Sequence, residues 1–134
     1  MKRIISVKQI PNPVDAPLSV GVQHGRLVSV CGMAPIAPDK SLVGIGDVRA
    51  QTKKVMENIA LVLADAGGTL ADVVKTTVFL ADITHYEQMN SVYETFFEGG
   101  TYPARSTLGV QLGHPDLLVE IEAWAVVPEQ GATV

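Results

Sequence analysis

Between Asp47 and Gly68 the apolar residues recur at the spacing of one face of an α-helix. Asp47 is a favourable N-cap residue and the pair Gly67–Gly68 is a typical stop, so the sequence predicts a helix over residues 47–66. Its apolar positions are Val48, Val55, Ile59, Val62, Leu63 and Ala66. An amphipathic helix gains most of its stability by packing that face on another layer, so we expect a second layer beside it.

Segments on both sides of this helix have the composition of β-strands. Residues 2–7 and 18–31 read as an opening meander, with a tight hairpin at "QHGR", where Gly25 can adopt positive φ. Residues 32–46 hold several glycines and prolines and are predicted to form a loop that carries a short extended piece. Residues 72–82, "DVVKTTVFLAD", are rich in β-branched side chains, which indicates a central strand.

A second helix is predicted after this strand. Thr84 and Glu87 have the spacing of a capping box, and the apolar residues that follow recur at helical spacing until the glycine pair of "EGG". These apolar residues are Met89, Val92, Tyr93, Phe96 and Phe97.

The last third of the chain reads as a β-hairpin, "RSTLGVQL" and "LLVEIEAWAVV" joined by a turn at "GHPD". Antiparallel pairing about that turn would place Arg105 near Trp124, Thr107 near Glu122 and Gly109 near Glu120. Strand alternation then puts Ser106 and Leu108 on the core side. It puts Arg105, Thr107 and Gly109, with their partners, on the face away from the helices. Trp124, Val126 and Leu118 would share that face, which indicates an oligomer contact with Arg105 at its edge.

The predicted order of elements is β-β-α-β-α-β-β, in one α+β domain over residues 1–134. Two helices are expected to cover one face of a mixed sheet. Hydrophobic residues make up 47% of the chain and charged residues 18%. Because this composition is apolar for a small domain, we expect some of its surface to meet another chain.

Composition disfavours several classes of partner. The net charge is −4, and Lys53–Lys54 is the nearest approach to a basic cluster, which argues against nucleic acid. No apolar run is long enough for a membrane span or a signal peptide, so a cytoplasmic location is expected. Cys31 is the only cysteine and the three histidines lack ligand spacing, so neither a metal nor another cofactor is expected.

Four stretches together resemble the RidA/YjgF family of reactive-intermediate deaminases, also labelled L-PSP endoribonucleases. They are "VCGMAP", "VVKTTVFLADITHYEQMNSVYETFF", "YPARST" and "VEIEAWAV". The resemblance covers nearly the whole chain. It implies a chorismate-mutase-like α+β fold, assembled as a homotrimer with the sheets inside and the active sites in clefts between subunits.

The resemblance also implies hydrolysis of reactive imine or enamine acids, such as 2-aminoacrylate and its tautomer 2-iminopropanoate, to a 2-oxo acid and ammonia. Arg105 would bind the substrate carboxylate, which suits a planar guanidinium with paired donors. Glu120 would position or activate the attacking water. Such a reaction needs no metal or nucleotide, in keeping with a sequence that has no cofactor motif.

Five further positions belong to the substrate-binding site that the resemblance implies. Cys31 and Gly32 fall where the family has a Ser-Gly pair, and Asn90 falls on a pocket asparagine. Thr107 stands where many members have cysteine, and Leu18 where many have tyrosine. These departures at Leu18, Cys31 and Thr107 point to an altered pocket, and to a different or larger imine as substrate.

Each residue also has a plain structural explanation. Arg105 and Glu120 could form ion pairs, Cys31 could be a small buried hydrophobe, and Asn90 could be a polar residue at the helix surface. Two other functions are therefore retained: a non-catalytic trimer that binds small acids or acts like a chaperone, and a deaminase of a larger imine or enamine such as an aminomuconate. Ribonuclease activity is disfavoured by the acidic charge.

Overall fold

The computed structural model describes residues 1–12 and 15–129, so the predicted domain of residues 1–134 includes a few positions outside the described ranges. The strands and helices, in chain order, are β1 (Arg3–Ile5), β2 (Gly21–His24), β3 (Leu27–Met33), α1 (Val48–Asp65), β4 (Val73–Leu80), α2 (Tyr86–Tyr93), β5 (Ala104–Gly109) and β6 (Val119–Val126). Within these ranges no helix is long and apolar enough to cross a membrane.

The strands form one mixed sheet in the order β1-β2-β3-β6-β4-β5. Strands β4 and β5 run parallel, whereas the other neighbouring strands are antiparallel. Both helices lie on one face, as predicted, and the described chain is an α+β unit. Three strands precede α1 instead of two, because the meander pairs β1 with β2 as well as β2 with β3, about the turn at Gly25 with its φ of +61°.

Helix α1 agrees with its prediction. The Asp47 side chain accepts a hydrogen bond from the Ala50 N–H at 3.1 Å, and Gly67, with φ of +79°, follows the last turn. All six predicted apolar positions are buried. They meet the alternate side chains of β6, from Val119 to Ala125, which form the centre of the core.

The start of α2 differs from its prediction. Asp82 accepts hydrogen bonds from the Thr84 N–H at 2.9 Å and the Thr84 hydroxyl at 2.6 Å, so Thr84 is held in a 3₁₀ turn and caps nothing. The helix begins at Tyr86 without a side-chain cap. The predicted capping box of Thr84 and Glu87 is therefore wrong, because an aspartate two residues upstream competes for the same hydroxyl.

The predicted hairpin of β5 and β6 is also wrong. Strand β6 lies between β3 and β4, and β5 pairs with the outer edge of β4, so the expected contacts of Arg105 with Trp124, Thr107 with Glu122 and Gly109 with Glu120 do not form. In this arrangement β4, the strand richest in β-branched residues, has a partner on each side. Its buried side chains favour a central place over an edge.

The two faces of β5 are the reverse of the prediction. Arg105 aligns with Thr76 and Thr107 aligns with Val78, and both β4 residues are buried under the helices. Leu108, expected in the core, aligns with Phe79 on the other side and is 42% exposed. Neighbours in a sheet share a face, so Arg105 and Thr107 lie on the helix-covered face.

The sheet has an uncovered face, here called the open face, formed by Leu108, Glu120, Glu122, Trp124 and Val126. On β6 the acidic and apolar side chains of this face alternate with buried core residues, as predicted. Trp124 is 42% and Val126 is 39% exposed. An apolar group of this kind is typical of an interface.

Candidate active site

The side chain of Arg105 lies against helix α2. Its Nη2 donates a hydrogen bond to the Tyr86 hydroxyl at 3.0 Å, and its guanidinium carbon lies 4.9 Å from the Tyr93 ring centroid and 5.4 Å from that of Tyr86. Its Nη1 is 4.0 Å from the Met89 sulfur, a weak contact. Among the described residues, no carboxylate lies within 4 Å of the guanidinium. The guanidinium is therefore stabilised by aromatic rings, and its N–H groups form no ion pair with an acidic side chain of the described residues.

The Tyr93 ring is fixed from beneath. Its hydroxyl shares a hydrogen bond of 2.7 Å with the Thr76 hydroxyl, and both residues are buried. Burial raises the pKa of the Tyr93 phenol, although the hydrogen bond with Thr76 and the charge of Arg105 act in the opposite direction. The phenol is therefore neutral near pH 7, and Tyr93 serves as a rigid apolar support for the guanidinium.

Arg105 lines a cleft of about 310 Å³ with Asn90, Tyr93, Glu94, Tyr102 and Pro103, here called the Arg105 cleft. Asn90 projects from α2, and its Oδ1 is buried without a hydrogen-bond partner in the described chain. Buried amide oxygens are normally paired, so this atom is a site for a donor from a ligand or another chain. The predicted association of Asn90 with Arg105 is present in the geometry.

Glu120 lines a different space. It projects from β6 into a cavity of about 460 Å³, here called the Glu120 cavity, together with Leu18, Cys31 and Gly32. A Cβ added at Gly32 would lie 3.1 Å from Oε2 of Glu120, so the glycine leaves room for the carboxylate. Burial raises the pKa of the Glu120 carboxyl, which makes it a stronger base than an exposed glutamate.

Cys31 has no acid–base role at neutral pH. Burial and, to a smaller extent, the negative charge of Glu120 raise the pKa of its thiol to about 11. The thiol therefore stays protonated, and it behaves as a small apolar group in the cavity wall.

The structure thus divides the residues that the sequence singled out. Leu18, Cys31, Gly32 and Glu120 share one cavity and Arg105 and Asn90 share another, whereas Thr107 lines neither. Arg105 is on the helix-covered face and Glu120 on the open face. The prediction that both lie on one surface is wrong, because it depended on the hairpin that does not form.

Sequence reasoning missed Tyr86, and it treated Met89 and Tyr93 only as core residues. The three contacts of Arg105 on α2 are spaced i, i+3 and i+7, which places them on one helical face. That spacing could have predicted an aromatic face of α2 that is able to bind a cation.

Comparison with known proteins decides the family. The family model described as Endoribonuclease L-PSP matches residues 9–127. A solved structure from Yersinia pestis, YyfA of the conserved Rid protein family, is 38% identical, with a TM-score of 0.87 over 95% of this chain and 100% of that one. The chain belongs to the RidA/YjgF family.

Two RidA/YjgF relatives are named for what they act on or bind. The 2-iminobutanoate/2-iminopropanoate deaminase of Salmonella typhimurium is 36% identical over 94% of this chain and 98% of its own length. The structure of Escherichia coli TdcF with bound serine has a TM-score of 0.84 and 32% identity, over 94% of this chain and 99% of that one. Each match extends over nearly the whole length of the relative, in sequence for the Salmonella protein and in structure for TdcF.

Proposed function

We propose that this protein is a hydrolytic deaminase of 2-imino acids and their enamine tautomers, of the type of 2-iminopropanoate and 2-aminoacrylate. The observation that carries the proposal is the guanidinium of Arg105, mounted on two tyrosine rings and without a carboxylate within 4 Å among the described residues, although Glu94 lines the same cleft. The name of the Salmonella relative and the serine in TdcF support it, since an imino acid and serine both carry a carboxylate on the carbon that bears nitrogen.

Arg105 binds the carboxylate in this proposal. The bond to Tyr86 occupies only one of the five guanidinium protons, and the ring contacts limit rotation of the planar fork. A carboxylate can then accept two parallel hydrogen bonds, a geometry that lysine does not provide. Binding at one end orients the C=N carbon for attack.

Glu120 acts as the general base. It removes a proton from water as the water oxygen bonds to the C=N carbon and the π electrons move to nitrogen. The proton then passes from Glu120 to that nitrogen, which gives a carbinolamine. Glu120 next takes the hydroxyl proton of this intermediate and delivers it to the amino nitrogen, so that the C=O bond forms as the C–N bond breaks, and ammonia and the 2-oxo acid leave. Its raised pKa brings Glu120 nearer to the working pH, where a base is most effective.

The active site combines two chains. Arg105 and Glu120 lie on opposite faces of the sheet in one chain, so the Arg105 cleft of one subunit must face the Glu120 cavity of a neighbour. We place the contact on the open face, whose exposed Trp124 and Val126 suit an interface, in a homotrimer of the kind that the family resemblance implies.

The remaining residues form the walls of this composite pocket. Cys31, Gly32 and Leu18 stand beside the reacting carbon, and Asn90 lines the Arg105 cleft, where its unpaired oxygen can accept a hydrogen bond from the substrate nitrogen or a bound water but not from the carboxylate. Thr107 lies on β5 two residues beyond Arg105, on the same face, and we assign it a supporting role in the position of that strand.

The test generates imines from several amino acids with an amino-acid oxidase and follows the rate of 2-oxo acid release. The wild type should accelerate release, R105A should not, and R49A, which changes an exposed arginine of α1, should match the wild type. Equal rates with and without the protein for every imine would refute the deaminase. Binding of 2-oxo acids without turnover would instead favour a non-catalytic small-acid binder.

A further inference from the structure

Two amide side chains, Gln51 and Asn58, lie on the buried side of helix α1. Both residues are 0% exposed. They are seven positions apart, or about two helical turns, so they project from the same face of the helix. A buried amide is unfavourable unless it forms hydrogen bonds, and an apolar side chain would fill the same space without that cost. The hydrogen bonds of the two amides therefore indicate why they are there.

Gln51 binds the backbone just before β6. Its Nε2 donates to the Asp116 carbonyl at 2.8 Å, and its Oε1 accepts the Leu118 N–H at 2.8 Å. A longer bond of 3.3 Å joins Nε2 to the Gly44 carbonyl, in the loop before α1. Because Leu118 lies two residues before Glu120, Gln51 fixes the start of the strand that carries the carboxylate.

Asn58 binds the segment that follows β3. Its Nδ2 donates to the Ala34 carbonyl at 3.2 Å and to the Ile36 carbonyl at 3.0 Å. Both of these residues line the Glu120 cavity. The Oδ1 of Asn58 is buried without a hydrogen-bond partner among the described residues, which is costly in itself. The two donated bonds explain why an amide occupies this position in spite of that cost.

The two segments that these amides bind separate from each other at the Glu120 cavity. Strands β3 and β6 pair as far as Met33 and Ile121, and Glu120 is the next residue of β6 beyond this pair. The ladder between the two strands ends there. The α1 amides bind backbone groups of both segments past that point, so the separation that forms the cavity is fixed by the helix.

We infer, on the basis of the proposed function, that Gln51 and Asn58 are positioning residues that fix the walls of the Glu120 cavity and thereby the place of the Glu120 carboxylate. A general base is effective only where it meets the attacking water in the correct geometry, and a displacement of about 1 Å can lower a rate on the order of 100-fold. Binding of the substrate carboxylate depends instead on Arg105 of the neighbouring subunit. Loss of an α1 amide should therefore lower kcat and leave KM nearly unchanged.

Imine hydrolysis by Q51M and by a matched control tests this role. Methionine has nearly the length of glutamine but no amide, so Q51M removes the partner of the Asp116 carbonyl and the Leu118 N–H. The control is T52V, because Thr52 is also 0% exposed and its hydroxyl donates within α1, to the Val48 carbonyl at 2.7 Å.

The two variants should differ in kcat and not in KM. In Q51M, kcat per folded protein should fall about 10- to 100-fold with KM within about twofold of the wild type, whereas T52V should match the wild type in both. A kcat for Q51M equal to that for T52V would overturn the positioning role.

The pKa of the Glu120 carboxyl provides a second readout, which needs no turnover. Burial raises this pKa, so a cavity wall that opens to water should bring it back toward the ordinary value of about 4.5. NMR titration of the carboxyl should show the lower pKa in Q51M and N58L and the wild-type pKa in T52V. The other described ionisable side chains that line the cavity are Cys31, Lys40 and His114. They are unchanged in all three variants, so an unaltered Glu120 pKa in both amide variants would contradict positioning by α1.

A measurement on the wild type covers the case in which Q51M does not fold. The Leu118 N–H, bound by Gln51 at 2.8 Å, should exchange with solvent as slowly as the N–H groups within β6. Exchange as fast as in an unprotected turn would show that Gln51 does not hold this segment, and the inference would fail.

The outcomes separate this inference from the proposed function. Turnover by the wild type, with unchanged kcat and an unchanged Glu120 pKa in Q51M, refutes the positioning role and leaves the deaminase standing. If the wild type hydrolyses no imine, the deaminase is refuted, and a lower Glu120 pKa in Q51M still supports the hold of α1 on the cavity wall.

Discussion

Arg105 and Glu120 lie on opposite faces of one sheet, on the two strands that flank β4. Arg105 aligns with Thr76 on the helix-covered face, and Glu120 aligns with Phe79 on the open face. The sheet itself stands between the two side chains, so a rotamer change in either one does not bring them together. Any reaction that uses both residues at one substrate therefore needs two copies of the chain.

Mixing two inactive variants tests this arrangement directly. R105A and E120Q should each be inactive alone, and co-expression should restore activity, because a site between subunits can take Arg105 from one chain and Glu120 from the other. Random assembly of equal amounts leaves about a quarter of the sites with both native residues. Activity of the purified mixture is the measurement, and no recovery in verified mixed oligomers would contradict a shared site.

Replacement of Arg105 by lysine should abolish most activity although the charge is kept. Lysine lacks the planar fork and its flexible chain is not held by the rings of Tyr86 and Tyr93, so we expect kcat/KM to fall on the order of 100-fold. Steady-state kinetics of R105K, with circular dichroism to verify folding, measure the effect. A variant within twofold of the wild type would show that only the charge matters.

E120Q should be inactive and yet more stable than the wild type near neutral pH. Burial raises the pKa of Glu120 above its ordinary value of about 4.5, so the folded chain holds this proton more tightly than the unfolded chain does. Ionisation of Glu120 therefore lowers the free energy of unfolding. This loss is absent at a pH below the ordinary pKa and is complete at a pH above the raised pKa. The glutamine variant does not ionise.

Thermal unfolding of both proteins across pH measures this difference. The Tm of E120Q should exceed that of the wild type near pH 7, and the two should converge toward about pH 4, where Glu120 is protonated. The acid limb of the wild-type pH–rate profile should lie above the ordinary glutamate pKa. A lower Tm for E120Q at every pH would indicate that Glu120 mainly stabilises the fold.

The elements that could be predicted are those whose signals are local in sequence. Helix α1 has its cap at Asp47, its apolar face and its glycine stop within one continuous stretch, and all three are confirmed. The uncovered face of β6 could also be predicted, because its acidic and apolar side chains alternate over eight residues with buried ones.

The pairing of β5 could not be predicted in the same way. The turn at "GHPD" favours a hairpin locally, but β4 gains more by having β6 on one side and β5 on the other. The sequence of a short segment does not show which of two strands, distant in the chain, will pair with it. Because the predicted pairing was wrong, the predicted side of the sheet for Arg105 was wrong as well. The residues around Glu120 were associated with it by family resemblance, not by their spacing in the sequence.

Removal of the Tyr86 hydroxyl should weaken substrate binding without loss of stability. Tyr86 is 42% exposed, and its hydroxyl accepts the Nη2 proton of Arg105 at 3.0 Å. Loss of one such bond should raise KM about 2- to 10-fold, with kcat little changed. Tyr102 lines the same cleft and makes no hydrogen bond to the guanidinium in the described structure, so Y102F is the matched control. Equal KM for Y86F and Y102F would show that the hydroxyl does not position Arg105.

Removal of the Tyr93 hydroxyl should have the opposite effect, a loss of stability with little change in binding. The phenylalanine ring still supports the guanidinium, but the Thr76 hydroxyl, in a residue only 1% exposed, loses its 2.7 Å partner. An unpaired buried hydroxyl costs about 1–3 kcal/mol of the free energy of unfolding. Denaturant unfolding of Y93F measures this cost.

The double variant T76V/Y93F isolates the cause of that loss. With both hydroxyls replaced by apolar groups, no buried donor or acceptor of this pair is left unpaired, so the double variant should be more stable than Y93F alone. Stability of T76V/Y93F equal to or below that of Y93F would mean that the tyrosine hydroxyl acts through something other than Thr76. Because Tyr86 lies on the exposed side of the guanidinium and Tyr93 on the buried side, the two phenylalanine variants separate binding from stability at one arginine.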